Sequence, residues 1–295
     1  MARTWRFEFG RAWATARIGY DYLRAFASAL PNEESATARR LPPQDVVACA
    51  GGSRGPLPPR IRLVSWNIHR AYDGPGVTAG LHTLLGDLEP HVLLLQEVPV
   101  SDQGPWWERD GVKELLAVYS TAFAPMHRVA RPTSYYPFRF SGLVVAIRGE
   151  FAAASATLVP AVCPPKLGAN HRIARVALGL RCRVGDREAQ IWNVHLENTA
   201  RPSGRALQAR ALAAAIGAGA AVLGGDFNTM LWPLERVDDA FEEVGLQRVR
   251  FGGGRRLIPQ LDHVFVRGFT SLEMRRLPIR GSDHLPIYGH LELER

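Results

Sequence analysis

A chain of 295 residues with 46% hydrophobic and 22% charged residues has an ordinary globular composition and the length to bury a sizeable core. No run of about eighteen apolar residues indicates a membrane-spanning helix. The three cysteines, Cys49, Cys163 and Cys182, form neither a zinc pattern nor a disulfide framework, which favours a cytoplasmic setting. The net charge of +8 divides evenly, with nine arginines against five acidic residues in 1–60, and 27 basic against 23 acidic residues in the remainder. So balanced a core is weak evidence for a nucleic-acid groove.

In chain order, residues 1–30 come first. Trp5, Phe9, Trp13, Ala16, Tyr20, Leu23, Ala27 and Leu30 recur at roughly helical spacing, with Arg3, Arg6, Arg11, Arg17 and Arg24 between them. This predicts a basic amphipathic helix that would either lie on anionic lipid as a peripheral membrane contact or pack on the core. It lacks the continuous apolar run of a secretory signal. Residues 31–59, with LPPQ and GGSRGPLPPR, read as a Pro/Gly-rich linker. From residue 60 to 295 short apolar runs alternate with helical patterns, as in one α/β domain. IRLVSW, HVLLLQEV, GLVVAIR, ARVALGL, AQIWNVHL, AAVLGGD, LDHVFV and LPIYGHLEL are predicted strands, and 77–89, 203–217 and 235–245 are predicted helices.

The informative polar residues fall where the apolar runs stop: Asn67 after SW, Glu97 after LLLQ, His195 and Asn198 in NVHLEN, Asp226 and Asn228 in GGDFNT, Asp262 in LDHVFV, and Asp283 and His284 in SDHLPI. Strand ends beside loops are where sheets gather ligand-binding groups. Carboxylates, amides and imidazoles without a Cys or Ser nucleophile in a recognisable setting suit a hard cation, Mg²⁺ or Mn²⁺. A cation beside His and Asp can hydrolyse a phosphate ester: a carboxylate prepares water and a histidine assists the departing oxygen.

Taken in this order, SWN, LLLQEV, NVHLE, GGDFNT, LDHVFV and SDHLPI resemble the endonuclease/exonuclease/phosphatase superfamily, over about residues 61–293. The resemblance implies a four-layer α-β-β-α sandwich of two central mixed β-sheets, where periodicity alone gives only an α/β (α+β) domain. It implies Glu97 as the main metal-binding carboxylate, with Asn67 and Asp283 at or near the metal. Asp226 would orient or deprotonate the attacking water, and Asn228 would hold phosphate and that Asp. His284, polarised by Asp262, would contact the scissile phosphate, and His195 would be the second catalytic histidine. Arg172 and Arg175 are phosphate-contact candidates. The expected activity is that of a monomeric phosphodiesterase dependent on Mg²⁺ or Mn²⁺, acting on nucleic acid or on a phospholipid headgroup, with a non-catalytic scaffold of the same fold as the lesser alternative.

The sequence also departs from parts of that superfamily. Its repair endonucleases carry an acid two positions after the motif Asn, where this chain has His69, and they lack a histidine at the place of His195. Both differences point away from abasic-site cleavage. Taken singly, Asn67 fits an Asx turn and Asp226 a cap. His69, His91, His171 and His263 read as structural, as do Arg205 and Gln208 on a helix face. The joint occurrence is what carries the functional reading.

Overall fold

The computed structural model describes residues 46–49, 51, 53–71, 74–101, 104–105, 113–128, 140–160, 175–198, 202–229, 236–251 and 261–295. The predicted helix of residues 1–30, most of the predicted linker, and Arg172 and His171 lie outside them. In chain order the elements are β1 (Val47–Cys49), β2 (Arg60–Asn67), a 3-10 turn (His69–Ala71), α1 (Gly74–Asp87), β3 (Val92–Ser101), β4 (Gly104–Pro105) and α2 (Lys113–Leu116). Then follow β5 (Ser120–Arg128), β6 (Phe140–Ile147), β7 (Phe151–Val159), β8 (Arg175–Val184), β9 (Arg187–His195), α3 (Pro202–Ala215) and β10 (Ala220–Asp226). The last are α4 (Val237–Glu242), β11 (Gln247–Arg248), β12 (Asp262–Arg267), β13 (Phe269–Arg276) and β14 (Ile287–Leu293).

The strands form two mixed sheets, one ordered β1-β5-β6-β3-β2-β14-β13 with β4 on β3, the other β11-β12-β10-β9-β8-β7. Strand alternation builds the layers. In β2, Ile61 and Leu63 face the second sheet and join Val92, Leu94, Leu178, Ile191, Val222 and Val264 in the central core. Val64 and Trp66 face the other way and pack with Leu81 and Leu84 of α1. On the far side, Trp192, Val194, Leu223 and Phe265 meet Leu212 of α3 and Phe241 of α4. Helix, sheet, sheet, helix is the predicted order of layers. Among the described residues no helix is long and apolar enough to cross a membrane.

All eight predicted strands form. The predicted linker needs correction at its end. Val47–Cys49 pairs with β5, and Leu57 is buried and donates its N–H to Arg183 O at 2.8 Å. An apolar leucine can be buried despite flanking prolines, so Leu57 and the strand Val47–Cys49 belong to the described fold although they fall within the predicted linker. The strand β7 was missed because its sequence FAAASATLV is rich in Ala and Ser and does not alternate. It forms as the edge partner of β8.

Two glycines pack closely beneath the polar strand ends, one against the opposite sheet and one against the neighbouring strand. A Cβ on Gly224 would meet the Cδ1 of Leu94 in the opposite sheet at 2.7 Å. A Cβ on Gly225, whose φ is +143°, would meet the Val194 backbone oxygen at 2.0 Å. A leucine tip can move, whereas the paired backbone of β9 cannot. Gly225→Ala is therefore expected to destabilise the fold by about 3 kcal/mol or more in chemical denaturation, and Gly224→Ala by clearly less. Equal, small losses would contradict this close packing.

Candidate active site

The register of three neighbouring strands sets the site. Asp226 at the end of β10 lies opposite His195 of β9 on one side and Asp262 of β12 on the other. All three follow the inward phase of their strands, the phase of Ile191, Val222 and Val264, so their side chains emerge between the sheets where the apolar core ends. Asn67 continues the inward phase of β2 in the opposite sheet. Its Nδ2 donates to Asp226 Oδ2 at 2.9 Å and ties the two sheets together.

Asp226 is the centre of this arrangement. Its Oδ1 accepts the Asn228 N–H at 2.9 Å, and Asn228 itself adopts a left-handed φ of +52° with Nδ2 on Leu196 O. His195 Nε2 lies 3.4 Å and His284 Nε2 3.7 Å from Asp226 Oδ2. Burial, with the Asp262 carboxylate adding to it, pushes the Asp226 carboxyl up to about 7, although the His284 imidazole pulls it down. For His284, burial opposes the charge. The carboxylates of Asp262 and Asp226 outweigh it and hold the imidazole well above 6.5. The Nδ1 of His284 sits 2.9 and 3.1 Å from the two Asp262 oxygens, which fixes the ring and leaves Nε2 toward Asp226.

Glu97 enters from a break in the ladder. The pairing of β3 with β6 shifts between Leu95 and Val98, and Glu97 takes a left-handed φ of +55° there. Such backbone strain in a non-glycine residue costs about 1–3 kcal/mol and persists where the surroundings over-determine it. The opposite sheet supplies the constraint: Asn193 Nδ2 donates to Leu95 O and Val144 O, each at 2.8 Å, while Gln96 Nε2 donates to Asn193 Oδ1 at 2.7 Å. These bonds satisfy carbonyls at the bulge and aim Glu97 at the cluster, where Oε1 lies 3.9 Å from His195 Nε2.

The loop before β14 is stitched to β2 as well. Ser282 Oγ donates to Asn67 O at 2.6 Å, the His284 N–H donates to Ser282 Oγ at 3.2 Å, and Trp66 Nε1 donates to His284 O at 3.0 Å. Asp283 turns to Ser282 and to His69, whose Nδ1 is 3.4 Å away. This pair forms the rim of the site, with side chains 38% and 27% exposed. The reading of His69 as structural missed this contact.

The structure thus brings Asn67, Glu97, His195, Asp226, Asn228, Asp262 and His284 together, with Asp283 on the rim. The phosphate-contact expectation for Arg175 is corrected. Its guanidinium is buried, with Nε 3.2 Å from Glu197 Oε2 and Nη1 against Met126 Sδ. Arg205 and Gln208 are structural as expected: Gln208 accepts the Glu197 N–H, and Arg205 donates to Glu197 O and Asn198 O. Glu197, Asn193 and Ser282 were not singled out from the sequence. The inward phase of Asn193, two residues before His195, was the signal that could have found it.

For a divalent ion the donor set fits: carboxylate and amide oxygens with imidazoles, and a glutamate held in a strained bulge facing them. Ligand atoms of Asp226, Asp262 and His284 also lie within 4.8 Å of one another. Asp262 already engages the ring of His284 with both oxygens, with Asp226 3.7 Å from the far ring nitrogen, while Glu97 and Asn67 offer further oxygen donors from the opposite sheet.

Comparison with known proteins agrees with the fold. The endonuclease/exonuclease/phosphatase of Beutenbergia cavernae is 21% identical with a TM-score of 0.63, over 80% of this chain and 72% of that one. The human Nocturnin catalytic domain with bound sulfate anion is 17% identical with a TM-score of 0.61, over 84% of this chain and 97% of that one. D. rerio TDP2 complexed with single strand DNA product is 17% identical with a TM-score of 0.55, over 79% and 99%. Comparison with curated protein sequences finds no match. Phosphoester hydrolysis, generally with a divalent metal, is the chemistry of the superfamily to which these folds belong. The model of the Endonuclease/Exonuclease/phosphatase family matches residues 64–284, from the second strand to the histidine of the last motif, and the chain belongs to that family.

Proposed function

We propose that the chain is a phosphodiesterase that uses Mg²⁺ or Mn²⁺ and hydrolyses its substrate by in-line attack of a water activated by Asp226. The observation that carries this reading is the setting of Asp226: two amide donors fix both its oxygens, and two imidazoles lie within 3.4 and 3.7 Å of Oδ2. Glu97, with Asn67 and Asp283, would hold the cation. When bound, it neutralises phosphoryl charge and lowers the pKa of water.

The chain's own groups do the rest. Asp226 accepts a proton from the attacking water as the new P–O bond forms, and Asn67 and Asn228 keep its carboxylate aimed. His284, held by Asp262, donates to a non-bridging phosphate oxygen on which charge builds. The bond to the leaving oxygen breaks, and that oxygen takes a proton from the His195 side of the cluster.

Two substrate classes share this chemistry. Nucleic acid is supported by the structural neighbour complexed with single strand DNA product. A phospholipid headgroup is supported by the Arg-rich spacing of residues 3–30, which suits a peripheral contact with an anionic membrane. We take the protein to be a cytoplasmic monomer. The test is a panel of plasmid DNA, RNA, bis-p-nitrophenyl phosphate, sphingomyelin and inositol phosphates, assayed with Mg²⁺ and with EDTA. Hydrolysis of a diester that EDTA abolishes and Mg²⁺ restores is expected. Hydrolysis indifferent to EDTA would remove the metal from the account.

Deleting residues 1–45, and no further because Val47–Cys49 pairs with β5, is expected to abolish binding to anionic liposomes. Retained binding would discredit the leader as an anchor.

A further inference from the structure

Behind the site, on the face of β12 turned away from substrate, Thr229 Oγ1 and His263 Nε2 meet at 2.6 Å, and both side chains are buried. Each is the residue next in the chain to a member of the site: Thr229 follows Asn228, and His263 follows Asp262. Around them is an aromatic room, with the His263 ring 5.6 Å from Phe227 and 6.2 Å from Phe265. A polar contact in such apolar surroundings is stronger than one in water.

The location matters more than the strength. The segment after β10 is pinned at the front by the Asn228 N–H on Asp226 Oδ1 and at the side by Asn228 Nδ2 on Leu196 O. Asn228 sits between those bonds in a left-handed conformation, which asparagine tolerates better than most non-glycine residues. The main-chain bond from Phe227 N to Leu261 O carries the β10–β12 pairing one step past Asp226. Beyond it, the Thr229 side chain supplies a further link to β12.

We propose that Thr229 and His263 act as a clamp, positioning residues that set Asn228 and thereby aim the Asp226 carboxylate relative to His284 and Asp262. Asp226 and Asp262 are thus registered against each other from both faces of the sheet: by strand pairing and Asn228 in front, and by the Thr229–His263 bond behind. This rests on the reading of Asp226 as the water-preparing base.

The test uses the full chain and bis-p-nitrophenyl phosphate with Mg²⁺. Thr229→Val keeps the shape and removes the hydroxyl, and is expected to lower kcat roughly ten- to a hundredfold with KM little changed, as for a small misplacement of a reacting group. Thr229→Ser is expected to retain most of the rate. The double variant Thr229→Val/His263→Phe removes both polar partners. It is expected to melt near the wild-type temperature yet keep the low kcat, and it serves if the single variant fails to fold. The ring-nitrogen NMR signals of His284 should move in Thr229→Val while those of distant His91 stay.

A double variant with wild-type kcat, or unmoved His284 signals in Thr229→Val, would overturn the clamp. If the wild-type chain hydrolysed no diester, the functional reading would fail, while the His284 spectra would still decide the clamp.

Discussion

Asp226→Asn is expected to lower diester hydrolysis by about two to four orders of magnitude, the range over which a positioned general base acts. Asparagine keeps the size of the side chain and removes its capacity to accept a proton. The pH dependence gives a second handle on the same group. Burial pushes this carboxyl up to about 7 without metal, and a bound cation would draw it lower, so the rate of the wild-type chain should climb with pH at or below that region as the base form fills.

Its contribution to the stability of the metal-free protein has the opposite sign. The folded state keeps the proton up to about 7, whereas the unfolded carboxyl releases it near 3.8. Stability from this group therefore falls as pH rises between those values and levels above them. Asp226→Asn should flatten that part of the melting-temperature profile. A variant with undiminished turnover would remove Asp226 from the mechanism.

His284→Ala is the second large effect. It removes the group that would face the phosphate and takes from the buried Asp262 carboxylate its imidazole partner. Breaking a buried charge pair on one side costs about 3–5 kcal/mol, and the loss of rate should reach roughly a hundredfold or more. The stability that His284 contributes through Asp262 is present in full below 6.5, since its folded-state pKa lies well above that value. It is lost as pH rises through the folded-state value. The difference in melting temperature between wild type and His284→Ala should therefore be widest at acid pH, provided Asp262 remains ionised. A difference that widened toward alkaline pH would contradict the charged Asp262–His284 pair.

Much of this was legible because the chemistry sits at strand ends. Apolar runs such as LLLQE and AAVLGGD announce both a buried strand and the polar residue that ends it, and eight strands and the residues of the cluster follow from that pattern. The layer order needed the resemblance, since alternation does not say which sheet a strand joins. What stayed hidden depends on contacts between distant segments. Arg175 looked like a phosphate contact because an arginine at a strand start carries no sign of its partner, and Glu197 neutralises it in the interior. The contact of His69 was hidden for the same reason: Asp283, its partner, is more than two hundred positions away in sequence. Asn193 was passed over inside the strand AQIWNVHL, though it holds the bulge that presents Glu97.

The central claim is that strand ends from both sheets converge on one divalent cation beside Asp226. Crystals grown with Mn²⁺ and measured for anomalous scattering test it most directly. The account predicts a single strong peak between the sheets with Glu97 among its ligands, lost in crystals of Glu97→Ala. A peak elsewhere on the molecule, or one between the sheets that survives without Glu97, would contradict it.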